Sequence, residues 1–326
     1  MKSLTFALLM LLTVPMSQSA RADVLPLSVA NGKVLAGNTP ANLAGVSLFW
    51  SNTGWGGEKF YTPDMVKHLK DAWRASVIRI PVGVEAAGGY LADPQANLAR
   101  TEAVIQAAIE SDMYVIVDWH SHEAEKYEAE ATDFFRQIAS KFGRYPNVIY
   151  EIYNEPLGNT EANPKPPPNV HWDETIKPYA ERVIRAIRAV DQYNLIVVGT
   201  PTWSQDVDVA SRAPIAASNI AYALHFYADS HGEAQRERAK AAVGNGLPLF
   251  VTEWGSVNAT GDGQVNREQT EAWMRFLRSN DISHVNWAIN DKAEGASAYL
   301  PDSMTLTPSG ELAKGIVESW SRKNRD

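Results

Sequence analysis

The sequence of 326 residues contains no cysteine. Disulfide bonds, thiolate metal sites and a cysteine nucleophile are therefore excluded. Basic side chains are fewer than acidic ones, with 30 Lys and Arg against 38 Asp and Glu, and they form no run along the chain. This balance disfavours a nucleic acid partner, which would need a basic surface. No apolar run approaches the about 20 residues of a membrane-spanning helix, so we expect no membrane partner.

The first 22 residues have the pattern of a secretory signal peptide. Lys2 provides a basic start, Leu4–Val14 is apolar, and Ala20-Arg21-Ala22 is an A-x-A cleavage site. Cleavage after Ala22 would remove two basic residues and no acidic one, and would change the net charge from −8 to −10. We therefore expect residues 1–22 to be removed and residues 23–326 to form one exported, soluble, monomeric domain, extracellular or periplasmic.

The rest of the chain alternates between strand-like and helix-like segments. The strand candidates are Leu43–Phe49, Ser76–Val82, Tyr114–His120, Val148–Glu155, Leu195–Thr200, Ile220–Tyr227, Leu249–Trp254 and Val285–Asn290. Helix candidates include Asp64–Ala75, Leu98–Ser111, Glu174–Val190, Asp206–Ser211, Arg236–Gly244, Arg267–Asn280 and Glu311–Ser319. This pattern predicts a (β/α)8 TIM barrel of the α/β class as a single domain. An open doubly wound sheet is disfavoured, because no G-x-G-x-x-G turn follows the first strand. Ahead of the barrel, Leu27–Thr39 predicts a short β-hairpin with a turn at Asn31-Gly32.

Two predicted strands end in a carboxylate. The fourth runs from Val148 to Asn154-Glu155 and stops at Pro156, which cannot continue a ladder of hydrogen bonds. The seventh ends in Glu253, far along the chain. In a barrel of parallel strands these ends meet at one mouth, where such folds place their chemistry.

Other strand ends carry polar or aromatic side chains. They are Arg79 near the second end, Asp118-Trp119-His120-Ser121-His122 at the third, His225-Phe226-Tyr227 at the sixth and Trp287 at the eighth. Two carboxyl groups that flank a bond, one protonated and one ionised, are what glycoside hydrolysis requires. Glu155 would be the acid, and Arg79 and Tyr227 would keep Glu253 anionic. Asn154 could donate to a sugar hydroxyl, and sugar rings could stack on three tryptophans, Trp50, Trp203 and Trp287.

Three alternatives remain for parts of this site. His120-Ser121-His122 could suggest a metal, but the motif supplies no third ligand. Glu151 lies four residues before Glu155 and competes with it as the acid, although the Asn-Glu-Pro ending favours Glu155. A non-catalytic sugar-binding barrel would be expected to lack one of the two carboxylates, and both are present.

Taken together, these stretches resemble glycoside hydrolase family 5, and within it the bacterial secreted endo-β-1,4-glucanases. The matching motifs are Gly45-Val46-Ser47-Leu48-Phe49-Trp50, Val77-Ile78-Arg79, Asp118-Trp119-His120, Ile149–Pro156, His225-Phe226-Tyr227, Phe250–Gly255 and Asn286-Trp287. They run from the first strand to the last.

The resemblance implies a retaining mechanism without metal or cofactor, in which Glu155 is the acid/base and Glu253 the nucleophile. It assigns a supporting role to Arg79, His120, Asn154, His225, Tyr227 and Trp287. It also implies that Lys292 contacts the sugar. From its position two residues after His120, His122 either contacts the substrate at the rim of the site or has a structural role.

The sequence departs from the family pattern in two places. The loop after the first strand has no histidine near Phe49-Trp50-Ser51-Asn52, and the Pro-rich segment 163–169 lengthens the loop after Glu155. Both concern substrate subsites. The resemblance implies a cellulose-type β-glucan as the substrate, and the two departures leave β-mannan, xyloglucan, mixed-linkage glucan and xylan as alternatives.

Overall fold

The computed structural model describes residues 24–157 and 170–323. The predicted signal peptide and the Pro-rich segment 163–169 lie outside these residues, so both predictions stay untested. No helix in the described part of the chain is long and apolar enough to cross a membrane.

Eight parallel strands close into a barrel, as predicted. They are β4 (Ala44–Leu48), β5 (Val77–Gly83), β6 (Tyr114–His120), β7 (Val148–Glu151), β8 (Ile196–Val198), β9 (Ile220–Tyr227), β10 (Leu249–Gly255) and β11 (His284–Ile289). Each pairs with its neighbours in chain order, and β11 pairs with β4 to close the ring. All eight strands are buried along nearly their whole length, which accounts for their continuous apolar runs.

The fourth barrel strand is shorter than predicted, since β7 ends at Glu151 rather than Glu155. The Ile152 amide still donates to the Val197 carbonyl of β8 at 3.0 Å, and after it the backbone turns towards β6. There the Asn154 amide donates to the Trp119 carbonyl at 3.3 Å, and the Glu155 amide to the Ser121 carbonyl at 3.4 Å. Asn154 and Glu155 are therefore loop residues held against the neighbouring strand end.

Helices surround the barrel. They are α1 (Pro63–Trp73), α2 (Pro94–Glu110), α3 (Glu128–Phe142), α4 (Lys177–Arg188), the single turn α5 (Pro201–Ser204), α6 (Val207–Arg212), α7 (Glu233–Gly244), α8 (Arg267–Ser279) and α9 (Pro308–Lys323). Several begin earlier than predicted because of their caps: the Thr62 and Asp93 side chains accept from backbone amides of the first turn, and a proline follows each. The helix α3 was not among the helix candidates from the sequence.

The predicted hairpin is part of a three-stranded antiparallel sheet. It consists of β1 (Leu27–Ala30), β2 (Lys33–Ala36) and the short β3 (Thr39–Pro40). Asn31 and Gly32 both have positive φ in the first turn, as a two-residue hairpin turn requires. Leu27 and Val34 of this sheet pack with apolar residues from the interior of the barrel. The sheet therefore covers the end of the barrel opposite the strand carboxyl ends.

Candidate active site

Arg79 lies at the centre of the polar network inside the barrel mouth. It was predicted near the end of its strand but is the third residue of β5, and its side chain is fully buried. Its Nε donates to Glu151 Oε2 at 2.7 Å and its Nη1 to Glu253 Oε2 at 2.9 Å. Its Nη2 donates to Asn154 Oδ1 at 2.6 Å and lies 2.9 Å from Asp118 Oδ2. One guanidinium thus holds side chains from three further barrel strands and the loop after β7.

Glu253 and Glu155 have different hydrogen-bond partners. Glu253 accepts from Arg79 and, at 2.8 Å, from the Tyr227 hydroxyl, as predicted. Glu155 Oε1 lies 3.0 Å from His225 Nδ1, and its Oε2 lies 3.6 Å from His122 Nδ1. Glu253 is therefore held by a cation and a phenol, and Glu155 by an imidazole.

The two carboxyl groups lie close together. Glu155, His225 and Glu253 each offer an atom within 4.8 Å of the others, and no other such group of possible metal ligands occurs among the described residues. These atoms face Arg79, Tyr227 or one another. We therefore interpret the group as a hydrogen-bonded acid–base network rather than as an open set of metal ligands.

Burial and neighbouring charges move the pKa values in this network. Burial would favour neutral His225, but its contacts with Glu151 and Glu155 outweigh burial and raise its pKa to about 9. Burial would also raise the pKa of Glu155, but the hydrogen bond and charge of His225 lower it below its usual value. Burial and the charge of Glu155 raise the pKa of Glu253, against the opposing effects of His225, Arg79 and Tyr227. In the free protein these shifts favour His225 over Glu155 as the carrier of the proton that the two side chains share.

A second histidine is held in its neutral form. His120 Nδ1 lies 2.6 Å from Asp118 Oδ2, and the ring is buried. Burial and the charge of Arg79 lower the pKa of His120 well below its usual value. The ring stacks on Trp287 at 5.3 Å between centroids with an angle of 3°, and the edge-on Trp50 ring lies 4.2 Å away.

An open cleft passes over the two glutamates. One part, with a volume of about 420 Å³, is lined by aromatic residues and a cation–carboxylate pair: Trp50, Trp55, Trp287, Lys292 and Glu294. The adjoining part is of similar size and is lined by Gln205, His231 and Ala259. Trp203 lines both parts, as do Glu155, Tyr227 and Glu253. A chain-like ligand could therefore extend past the carboxyl pair in both directions.

A larger cavity of about 600 Å³ lies at the other end of the barrel, next to the starts of β4, β5 and β6. It is lined by residues such as Leu43, Ser76 and Tyr114. It contains no pair of carboxyl groups, and in (β/α)8 enzymes the chemistry is found at the carboxyl ends of the strands.

Comparison with known proteins identifies the family. A family model described as Cellulase (glycosyl hydrolase family 5) matches residues 34–293. The chain belongs to glycosyl hydrolase family 5. The resemblance inferred from the motifs is therefore confirmed, and the protein is a glycoside hydrolase with a cellulase domain.

Two relatives are endoglucanases. The chain is 57% identical over 308 residues to Endoglucanase Z of Dickeya dadantii, and the aligned region covers 94% of this chain and 70% of that protein. It is 40% identical over 269 residues to an endoglucanase of Clostridium saccharobutylicum, which covers 79% of this chain and 58% of that one. The chain thus spans only part of the length of these relatives.

A solved structure has the same fold. It is the catalytic domain of Thermobifida fusca endoglucanase Cel5A, a Glu-to-Gln variant in complex with cellotetraose. Its TM-score is 0.80 at 27% identity, covering 90% of this chain and 97% of that one.

In this family 5 glycoside hydrolase, the predicted site residues lie at one mouth. The structure brings together Arg79, His120, Asn154, Glu155, His225, Tyr227 and Glu253 around the carboxyl pair, and Trp50, Trp203, Trp287, Lys292 and His122 along the cleft. Lys292 pairs with Glu294 at 2.9 Å and lies over the Phe49 ring. Trp119 and Trp254 are fully buried, so neither ring offers a face to a ligand in the cleft.

Some members of the network were not assigned from the sequence. Glu151 accepts a hydrogen bond from Arg79, and the Thr252 hydroxyl lies between Glu151 and His225. Asp118 orients His120. Two of them stand next to predicted residues, since Thr252 precedes Glu253 and Asp118 belongs to the Asp118-Trp119-His120 motif. These positions are the signal in the sequence by which they could have been found. Trp55 and Glu294 also line the cleft.

Proposed function

We propose that this family 5 enzyme is an endo-β-1,4-glucanase that cleaves cellulose-type chains by double displacement with retention. The close approach of Glu155 and Glu253, within 4.8 Å and with different partners, is the observation that carries the proposal. The cleft that continues on both sides of the pair supports cleavage within a chain rather than at its end. The endoglucanase relatives and the cellotetraose complex support a β-glucan substrate.

In the first step, a Glu253 oxygen attacks the anomeric carbon. The bond to the leaving sugar breaks, and the leaving oxygen takes a proton from Glu155. In the second step, the Glu155 carboxylate takes a proton from water, whose oxygen attacks the same carbon and releases Glu253. Two inversions leave the anomeric configuration unchanged.

The pKa shifts of the free protein fit this cycle once the two carboxyl groups are treated as coupled. The charge of Glu155 is one cause of the raised pKa of Glu253. When a proton moves onto Glu155, this like charge disappears and Glu253 ionises more readily. The acid and the nucleophile therefore reach their required forms together.

The proposal is tested with two variants on two kinds of substrate. The Glu253→Gln variant should lose activity about a thousandfold or more on carboxymethyl-cellulose and on an aryl cellobioside with an acidic phenol. The Glu155→Ala variant should lose about a hundredfold or more on the polymer but keep glycosylation of the aryl substrate, which needs no acid. Viscosity and new reducing ends measure the polymer reaction, and exposed Glu237→Ala is the control.

Equal losses of the Glu155→Ala variant on both substrates would contradict its role as acid. A covalent glycosyl adduct on a residue other than Glu253 would contradict the role of Glu253. Activity confined to β-mannan, xylan or xyloglucan would keep the mechanism and replace the substrate.

A further inference from the structure

Thr252, the residue before Glu253, connects the Glu151 carboxyl group to His225 through hydrogen bonds. Thr252 is fully buried, and its Oγ1 donates to Glu151 Oε1 at 2.5 Å. The same oxygen lies 2.9 Å from His225 Nε2. On the other side of the ring, His225 Nδ1 lies 3.0 Å from Glu155 Oε1. Glu151, Thr252, His225 and Glu155 therefore form one continuous chain of hydrogen bonds.

The direction of each bond in this chain is fixed from one end. Glu151 is held as a carboxylate by Arg79, whose Nε donates to it at 2.7 Å. Burial acts against ionisation of Glu151, but Arg79 and His225 outweigh burial and lower its pKa. A carboxylate only accepts, so the single hydroxyl proton of Thr252 points to Glu151. The Thr252 oxygen then presents lone pairs to His225 Nε2, which must carry a proton.

One position for a proton remains, between His225 Nδ1 and Glu155 Oε1. The pair is either an imidazolium facing a carboxylate or a neutral ring facing a carboxylic acid. Removing the proton would leave two lone pairs facing each other at 3.0 Å. The ring cannot relieve this by moving its other proton, because a bare Nε2 would face the lone pairs of Thr252.

We propose that Thr252 is a positioning residue that keeps His225 protonated at Nε2, so that Nδ1 holds the proton which Glu155 delivers to the leaving sugar. The proposal deepens the proposed function and rests on it in taking Glu155 as the general acid. The proton passes from Nδ1 to a Glu155 oxygen, which leaves a neutral His225. Glu155 then gives it to the glycosidic oxygen as the C–O bond breaks. In the second step the proton that Glu155 takes from water returns to Nδ1.

The charges around His225 favour the protonated pair. The titratable and charged groups around the ring come from several elements. They are Glu151 on β7, Glu155 in the loop after β7, Glu253 on β10, Asp118 and His120 on β6, His122 in the loop after β6, Arg79 on β5, Tyr227 on β9 and His231 in the loop after β9. The carboxyl groups outnumber the single permanent cation, Arg79. The pKa of about 9 for His225 agrees with a proton held there at neutral pH.

The test compares Thr252→Val, which removes the oxygen at nearly constant shape, with Thr252→Ser, which keeps it. kcat/KM is measured against pH on carboxymethyl-cellulose. The Val variant lacks the lone pairs of Thr252 that oppose a bare Nε2, and only the Glu151 carboxylate, 3.6 Å from Nε2, still favours a proton there. The pair therefore loses its proton more easily. The alkaline limb of the Val variant should move to lower pH by about one unit, the equivalent of one buried hydrogen bond, with a loss of about tenfold above the limb. The Ser variant should restore the wild-type limb.

A purely structural role for Thr252 would lower activity at every pH without moving the limb, and that result would overturn the proposal. A second measurement does not depend on the folding of the Thr252 variants. In wild-type protein labelled with [15N]histidine, the neutral ring of His225, assigned with His225→Asn, should carry its proton at Nε2. A proton at Nδ1 in the neutral ring would also overturn the proposal.

Failure of this proposal can be told apart from failure of the proposed function. If Glu155 is not the acid, the leaving-group comparison of Glu155→Ala fails while the Nε2 proton of His225 is still observed. If Thr252 does not fix the ring, the NMR result and the Val profile fail while the leaving-group comparison still holds.

Discussion

The two hydrogen bonds that Glu253 accepts come from groups of different kinds. Arg79 is a buried cation that also pairs with Asp118 and Glu151, so the charge of Arg79 is shared among three carboxyl groups. Tyr227 is neutral, and its hydroxyl donates to Glu253 alone among the described residues. The phenol therefore contributes a bond that no other carboxyl group competes for.

The Tyr227→Phe substitution should weaken the ionised form of Glu253. Loss of the donor raises the pKa of Glu253 further above its usual value, because the hydrogen bond opposes the effect of burial. The acid limb of kcat/KM should move to higher pH by about one unit, and activity below the limb should fall about tenfold. The pH profile measures this, with Tyr193→Phe, on an exposed side chain, as control. An unmoved acid limb would contradict the expectation.

Single residues were predictable where position along a strand determines where a side chain goes. Glu155, Glu253 and His225 follow from strand ends that converge in a barrel. Thr252 could not be assigned, because its importance depends on a hydrogen bond to Glu151, which is 101 residues away and on a different strand. The sequence shows which residues sit at the mouth, but not which way the protons point between them.

At the level of elements, the loops after β4 and β5 support the aromatic side of the cleft. The Thr53 amide donates to the Gly88 carbonyl at 2.8 Å, which ties the two loops together. Gly88 has a φ of 75°, and a Cβ there would lie 2.2 Å from the Thr53 carbonyl oxygen. Trp50 and Trp55 lie on either side of Thr53 and line the cleft. The aromatic wall therefore depends on a glycine in a different loop.

The Gly88→Ala substitution should separate these loops. Both the positive φ and the contact with Thr53 disfavour a side chain, so we expect a loss of about 1–3 kcal/mol in the free energy of unfolding. KM on the polymer should rise more than kcat falls, because Glu155 and Glu253 are held by other strands. Urea unfolding and kinetics measure the two effects.

The matched control is Gly315→Ala in α9, where a Cβ meets no atom within 4 Å. This exposed helical position should gain about 0.5–1 kcal/mol. Equal stability of the two variants would contradict the role of Gly88.

Element boundaries were less predictable than element types. The β-branched and aromatic run from Val148 predicts a strand as far as Glu155, yet β7 ends at Glu151. The amides of Asn154 and Glu155 bond to carbonyls at the end of β6 and just after it instead of continuing the ladder with β8. A single sequence does not show which neighbour captures a backbone amide. The order of the eight barrel strands was predictable, because each helix returns the chain to the next parallel strand.

The whole barrel has two different ends and an apolar layer between strands and helices. The β1–β3 sheet covers one end, and the carboxyl-rich mouth forms the other. Among the ionisable groups buried outside the site is a histidine that takes no part in the chemistry. His284 begins β11 and is fully buried. Its Nδ1 accepts from Trp254 Nε1 at 3.1 Å, and the Trp320 ring of α9 stands edge-on to it at 4.3 Å.

His284 should make the stability of the barrel sensitive to acid. Burial, with a smaller contribution from Arg278, lowers its pKa from the ordinary 6.5 to about 3, so the folded state binds fewer protons than the unfolded state. Its neutral form therefore stabilises the fold fully above pH 6.5, and this contribution is lost as the pH falls towards 3. In that window it should contribute a slope of up to about 1.4 kcal/mol per pH unit.

The carboxyl groups of the mouth also titrate in acid, so the measurement is a difference between two proteins. Urea unfolding of wild type and His284→Gln is compared at several pH values between 7.5 and 4.5. The variant should be the less stable protein at pH 7.5. The difference in the free energy of unfolding should narrow as the pH falls, because unfolding exposes the His284 imidazole only in wild type, where proton uptake by this ring favours the unfolded state. Exposed His171→Gln should follow wild type at every pH. Parallel stability curves for wild type and His284→Gln would contradict a contribution of His284 to the acid sensitivity of the fold.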